Sequence, residues 1–172
     1  MAYGLPTRPS VSDPLSLAGY FDLMNASMTA LRGSYCLVTR DAAQSINNDT
    51  LTTITMDHEY SDTGTYFDIA DPTKITLVKP GFYSVVADVL FAANTTGVRE
   101  LYCYVNGVVS YRIRLPAVAA SSTESTTPIN LPIGMTRTAG QYLEFKVVQT
   151  SGGALNVTFF RVSAILLHDL ST

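Results

Sequence analysis

The spacing of hydrophobic residues changes once along the chain, near residue 34. Between residues 13 and 33, apolar side chains recur at intervals of four and three, which is typical of a helix with one narrow apolar stripe. From Tyr35 onward, the apolar residues form short β-rich runs separated by turn residues. The pattern predicts one helix followed by an antiparallel β domain of the sandwich or barrel type.

The predicted helix has recognisable ends. Asp13 can cap the first free amides, Pro14 suits the first helical position, and Gly33 can adopt the left-handed conformation that closes a helix. Its stripe has a/d spacing and consists of Leu17, Phe21, Met24, Met28 and Leu31. The stripe can pack on the chain's own β domain or attach to another chain, and the sequence leaves both open.

We divide the chain into two parts on this basis. Residues 1–33 are interpreted as an extended arm and an anchoring helix, and residues 34–172 as one β domain. The Asn106–Gly107 pair predicts a tight hairpin within that domain. Residues 116–128 are small and polar and read as an exposed loop, which is either a simple connection or a variable surface feature.

The β runs also indicate which strand faces are expected to be buried against other parts of the protein or another chain. Residues 143–147 alternate between apolar and charged, which predicts one buried face and one wet face, whereas residues 101–105 are apolar or aromatic on both faces. We expect an outward aromatic surface, and the candidate interface residues are Tyr102, Tyr104, Tyr142, and either Phe159 or Phe160, both of which we retain. A monomer rarely leaves such a surface exposed, so closed association of several copies is expected.

Composition narrows the possible partners. Only 15% of residues are charged, the net charge is −3, and the basic residues are scattered, so we expect no nucleic-acid binding. The amino terminus lacks the apolar core of a signal peptide, and no run is long enough to span a membrane. We therefore expect the chain to be made in the cytoplasm and to stay there or leave within a larger particle.

No residue pattern points to catalysis or to a cofactor. Cys36 and Cys103 lie in strand-like apolar runs and are expected to be buried free thiols. His58 is expected at the surface, and His168 has no accompanying nucleophile motif. Phosphate-binding, zinc and calcium motifs are absent from the sequence. We expect a non-enzymatic protein with no catalytic residue, no metal site and no cofactor.

The second half of the chain resembles the C1q/TNF-like jelly roll. The resemblance lies in an ordered set of turn and strand residues: Gly81, Phe82, Tyr83, Asn106, Gly107, Gly140, Gln141, Leu166 and Leu167. It covers about residues 35–170 and implies an antiparallel jelly-roll sandwich. Gln141 stands where many members carry an acidic residue, which weakens any expectation of a bound cation nearby.

The layout of the first part resembles small virion proteins of tailed bacteriophages. The arm, the helix that ends at residues 30–33, and the segment leading into the β domain carry this likeness. It implies a trimeric structural part of a phage head or tail, such as a capsid decoration or minor tail protein, that contacts other virion proteins through residues 1–33. The alternative is a receptor- or carbohydrate-binding module of a fibre or baseplate that binds a host surface ligand through loops such as residues 116–128.

Overall fold

Eleven β-strands form the part of the chain described by the computed structural model, residues 34–117 and 128–171. In chain order they are β1 (Tyr35–Arg40), β2 (Gln44–Ile46), β3 (Thr52–Thr53), β4 (His58–Asp62), β5 (Ile75–Thr76), β6 (Gly81–Phe91), β7 (Val98–Val105), β8 (Val108–Pro116), β9 (Pro128–Arg137), β10 (Tyr142–Gln149) and β11 (Leu155–Asp169). This part of the chain is all-β, as the sequence predicted.

The strands form two antiparallel sheets. The first sheet has the order β4-β1-β11-β6-β9, with β2 also pairing with β11. The second has the order β3-β10-β7-β8, with β5 also pairing with β10. Some paired strands, such as β1 and β11, come from opposite ends of the domain, so the sheets require contacts distant in sequence. This is the arrangement of a jelly-roll sandwich.

The core lies between the inward faces of the two sheets. Along β6 and β10, buried side chains alternate with half-buried or exposed ones, as expected for strands that each cover one side of a core. Phe145 of the second sheet and Phe160 of the first are both buried, with ring centroids 5.5 Å apart. The alternation predicted for residues 143–147 is confirmed, because Leu143, Phe145 and Val147 are all buried.

A buried arginine, Arg99, binds the backbone of the loop between β6 and β7. Arg99 is fully buried, and its guanidinium donates to the backbone carbonyls of Asn94 (3.1 Å), Thr96 (3.0 Å) and Val98 (3.0 Å). Burial lowers the pKa of this arginine. These hydrogen bonds therefore hold the loop against the end of the core.

The predicted hairpin at Asn106–Gly107 is confirmed. Both residues have positive φ, 50° and 76°, which matches the tight turn that joins two antiparallel strands. The Asn106 Oδ1 atom also accepts a hydrogen bond of 2.9 Å from the Tyr142 amide. The turn thus joins β7 to β8 and is tied to the start of β10.

Residues 65–70 (TYFDIA) are one of the short runs that the sequence predicts as strands, but they do not form a strand, which corrects that part of the prediction. Phe67 makes only an isolated bridge with Ile75. The Asp62 carboxylate accepts hydrogen bonds from the amides of Gly64 (3.0 Å) and Phe67 (2.8 Å), and Thr65 has a φ of 57°. These bonds fold the segment into a tight loop in place of an extended ladder.

Two predicted features lie outside the described residues. They are the loop at positions 118–127, and the arm and helix of residues 1–33 with the stripe Leu17, Phe21, Met24, Met28 and Leu31. The first and last positions of the predicted loop, Pro116 and Pro128, belong to the ends of β8 and β9. The attachment role of the stripe stays a prediction.

Candidate functional site

The outward face of the first sheet is largely apolar, and we call it the apolar face. It consists of Tyr35, Leu37, Phe82, Val86, Leu90, Pro132, Phe159, Ile165 and Leu167. Tyr35, Phe82 and Ile165 are each about two-fifths exposed, and Leu167 is 59% exposed. Side chains of this size are normally covered when they are contiguous.

Strand register joins these residues into continuous rows. One row runs from Tyr35 through Ile165 and Ser84 to Gly134, and the next runs from Leu37 through Ser163 and Val86 to Pro132. Small residues separate the large ones and leave no charge between them. A Cβ atom at Gly134 would lie 3.0 Å from Cζ of Phe82, so the glycine makes room for that ring.

One row of the apolar face is polar. It contains Arg161, Asp88 and Asn130 on three neighbouring strands, β11, β6 and β9. The Asp88 carboxylate pairs with Arg161, with 3.0 Å between Asp88 Oδ2 and Arg161 Nε. The apolar face therefore contains a local ion pair within otherwise uncharged rows.

The outward face of the second sheet has a different character, and we call it the charged face. Three of the predicted interface tyrosines lie on it, half-buried, and each has a cation above its ring. The pairs are Arg112 over Tyr102 at 5.8 Å, Lys146 over Tyr104 at 4.5 Å, and Lys74 over Tyr142 at 5.1 Å. Cations in this position are attracted by the aromatic ring and remain hydrated on their other side.

A nearly buried carboxylate organises the charged face. Glu100 accepts a hydrogen bond from the Tyr102 hydroxyl and pairs with Arg114 at 3.3 Å and Arg112 at 3.9 Å. Burial and this hydrogen bond raise the pKa of Tyr102. The charged face is thus suited to contact with water. The interface role of Tyr102, Tyr104 and Tyr142 stays a prediction.

The structure decides between the two phenylalanines in question. Phe159 lies half-buried on the apolar face, opposite Leu90, whereas Phe160 is fully buried in the core, opposite Val89. A β-bulge at Thr158 shifts the alternation by one residue and turns Phe160 inward. Phe160 is therefore not an outward residue, and the part of the prediction that retained it on the surface was wrong.

Sequence reasoning missed most of the apolar face. Part of the signal was present in residues 82–90, where Phe82, Val86 and Leu90 alternate with the small or polar outward residues Ser84 and Asp88, and the odd-numbered positions between them are buried. Three of the five outward positions in this run are apolar, which is a weaker form of the criterion that we applied to residues 101–105. A less strict criterion applied to β6 would have found part of the face.

The candidates for chemistry lie apart from one another. His58 is exposed, as predicted, with its ring 4.4 Å from that of Tyr60, and His168 is exposed near the end of β11. Cys36 and Cys103 are buried free thiols, as predicted, and burial raises the pKa of each to about 12. Residues 34–117 and 128–171 contain no group of three or more His, Cys, Asp or Glu side chains that could hold a metal ion. A helix able to cross a membrane is not found in the same residues.

Comparisons with known proteins identify the fold. No protein-family model and no curated protein matches the sequence. The structure is similar to the globular domain of zebrafish complement 1qA protein, with a TM-score of 0.57, 15% identity, and coverage of 79% of this chain and 98% of that domain. It is also similar to Eiger TNF from S. frugiperda, with a TM-score of 0.56, 8% identity, and coverage of 81% and 94%. The described part of the chain therefore has the jelly-roll fold of C1q and TNF globular domains.

Proposed function

We propose that this protein is a non-enzymatic structural protein that assembles as a homotrimer through its apolar face. The observation that carries the proposal is the contrast between the two sheets. Within the described residues nothing covers the apolar face, whereas ion pairs and cations cover the aromatic rings of the charged face.

Closed association is the arrangement that this contrast favours. Burial of apolar surface contributes roughly 25 cal/mol per Å², so a face of this composition gains free energy when a second copy covers it. A closed ring leaves no copy with an uncovered face, unlike an open chain of copies. C1q and TNF domains are usually trimeric, which supports three as the number of copies.

Sedimentation equilibrium of the full chain tests the trimer. We expect a mass of three copies of the 18.6 kDa chain at micromolar concentration. A mass of one copy under these conditions would contradict the proposal.

We further propose that the trimer is a bacteriophage virion component, displayed on the head or tail and attached by residues 1–33. The support is the layout of the amino-terminal part, an arm and a helix with an apolar stripe ahead of a jelly roll. Antibody labelling of intact particles in electron micrographs tests the location. Particles that carry no label, in a preparation where the antibody recognises the purified protein, would contradict a virion role.

The attachment role of residues 1–33 has its own test. Replacing Phe21 and Met28 with glutamine should leave the melting temperature unchanged and prevent incorporation into particles. If the stripe instead packs on the β domain, the double variant loses several kcal/mol of burial and its melting temperature drops. A large loss of stability in the isolated protein would refute attachment.

A second candidate is a receptor- or carbohydrate-binding module. The charged face supports it, because its half-buried tyrosine rings and ion-paired groups would remain in contact with solvent in a trimer joined by the apolar face. A glycan array with the full chain and with Tyr104→Ala tests this function. Binding that disappears in the variant supports it, and a lack of binding to any glycan on the array counts against it.

A further inference from the structure

Arg161, Asp88 and Asn130 of the polar row are connected by hydrogen bonds within one chain, whereas Thr39, which pairs with Arg161 on β1, has a buried hydroxyl with no partner among the described residues. The Asp88 carboxylate accepts hydrogen bonds from both neighbours, through Oδ2 from Arg161 and through Oδ1 from Asn130 Nδ2. The three side chains come from β11, β6 and β9 and lie side by side in register. On β6, the rows on either side of Asp88 contain Val86 and Leu90. Apolar side chains therefore flank the polar row on that strand.

The members of the row differ in exposure. The Asp88 side chain is 20% exposed, because its two neighbours cover it, whereas that of Arg161 is 52% exposed. Among residues 34–117 and 128–171, no acceptor bonds the Nη1 atom of Arg161. The Nη1 donors of the half-exposed guanidinium are therefore available to an acceptor outside these residues.

A pair of this exposure contributes little to the stability of one chain. Half-exposed ion pairs contribute about 0–1 kcal/mol, since water screens them. When an interface buries the same pair, desolvation is costly unless every donor and acceptor has a partner. Only a docking arrangement that offers an acceptor to Arg161 satisfies that condition.

We infer that the row of Arg161, Asp88 and Asn130 fixes the register in which neighbouring copies pack and restricts the assembly to three copies. The occupant of the face is a second copy of this chain, which must place an oxygen acceptor opposite Arg161. Apolar contacts around the row supply most of the affinity but tolerate sliding, whereas the ion pair does not. This inference rests on the proposed trimer.

The first test compares two carboxylate-to-amide substitutions, Asp88→Asn on the apolar face and Glu100→Gln on the charged face. Both carboxylates are largely covered and paired with arginine, so the changes are chemically matched. Asp88→Asn leaves Arg161 without a carboxylate in the interface and should raise the trimer dissociation constant by at least about tenfold. Glu100→Gln should change it by less than about twofold, because its arginines remain in water.

The second test removes the whole row with the triple variant D88L/N130L/R161M. Replacing a buried polar network with apolar residues often preserves or strengthens association and can lose specificity. Native mass spectrometry should show association at least as strong as in the unmodified protein, distributed over more than one oligomeric state. If Asp88→Asn fails to fold, the distribution of oligomeric states of the triple variant decides whether the polar row fixes the trimer.

The outcomes separate this inference from the proposed function. A trimeric unmodified protein whose dissociation constant is unaffected by Asp88→Asn, or a triple variant that forms trimers alone, overturns the role of the row and leaves the trimer intact. An unmodified protein that is a monomer overturns both.

Discussion

Both outward faces of the sandwich carry aromatic side chains, but the residues beside those side chains differ. On the charged face, Tyr102 has Lys146 on one neighbouring strand and Arg112 on the other. On the apolar face, Val86 has Ser163 and Pro132 in the corresponding positions. Aromatic content alone therefore does not identify an interface, because the cross-strand neighbours decide whether water can remain.

The difference has a direct energetic meaning. Covering the charged face would remove several ion pairs from water, and their desolvation would offset much of the gain from burying the tyrosine rings. Covering the apolar face gains free energy in proportion to its area, apart from the one polar row. Association is therefore expected through the first sheet.

The strongest test of the difference between the two faces uses two matched valines. Val86 and Val148 are both half-buried, outward residues of central strands, β6 and β10. Val86→Lys places an unpaired cation in the interface, which costs about 3–5 kcal/mol per buried charge, so the trimer should dissociate. Val148→Lys lies opposite Glu100 and should remain trimeric. Sedimentation equilibrium of both variants checks this, and a trimer that survives only in Val86→Lys would reverse the assignment of the faces.

The two phenylalanines of β11 test the boundary between core and surface. Phe160→Ala creates a cavity in the core and should lower the free energy of unfolding by about 3–5 kcal/mol. Phe159→Ala should lower the unfolding free energy of the dissociated chain by about 1 kcal/mol, because the side chain is only partly buried there. Denaturant unfolding at concentrations below the dissociation constant measures both. Equal losses would mean that the bulge at Thr158 does not set the inward residue.

A smaller effect is expected from the carboxylate of the charged face. Glu100→Gln removes the negative charge and one of the two acceptor oxygens that two half-exposed arginines and the Tyr102 hydroxyl share. The loss should be about 1 kcal/mol of unfolding free energy, since water solvates the arginines once they are released. Thermal unfolding of the variant measures it. A loss as large as that of Phe160→Ala would show that the charged face is essential to the fold itself.

The smallest effect near neutral pH comes from the cysteines, one in each sheet. Burial raises the pKa of Cys36 and Cys103 from 9.0 to about 12, so the folded chain holds these protons more tightly than the unfolded chain. Their contribution to stability is complete below pH 9.0 and is lost as the pH rises towards about 12. A thiol reagent at pH 8 should react with neither cysteine until the chain unfolds, and rapid reaction of Cys36 alone would indicate that the first sheet opens separately.

Local chemistry was enough to predict many elements of the fold. The alternation in residues 143–147, the Asn106–Gly107 turn and the buried cysteines each depend on a few neighbouring residues, and all were confirmed. The turn needs two residues with positive φ, and the Asn-Gly pair provides them at little cost. Such features can be read from sequence because the forces that produce them act over a few residues.

The candidate site was only partly predictable for the opposite reason. Outward aromatic residues could be named from their strands, but the cations over Tyr102 and Tyr104 belong to strands β8 and β10, and their positions follow from register. The polar row likewise joins Asp88 to residues 42 and 73 positions away in the chain. No local pattern carries this information.

The sequence by itself determined the β character of residues 34–117 and 128–171, the main turns, and the inward side of most strands, because these depend on short-range spacing and backbone preference. Tertiary structure alone decided which outward face is apolar and which is charged. A single extra residue, Thr158, reverses the alternation of β11 and sends Phe159 outward and Phe160 inward. The pairing of distant strands then sets the neighbours of every outward side chain, and those neighbours determine whether a face can be removed from water.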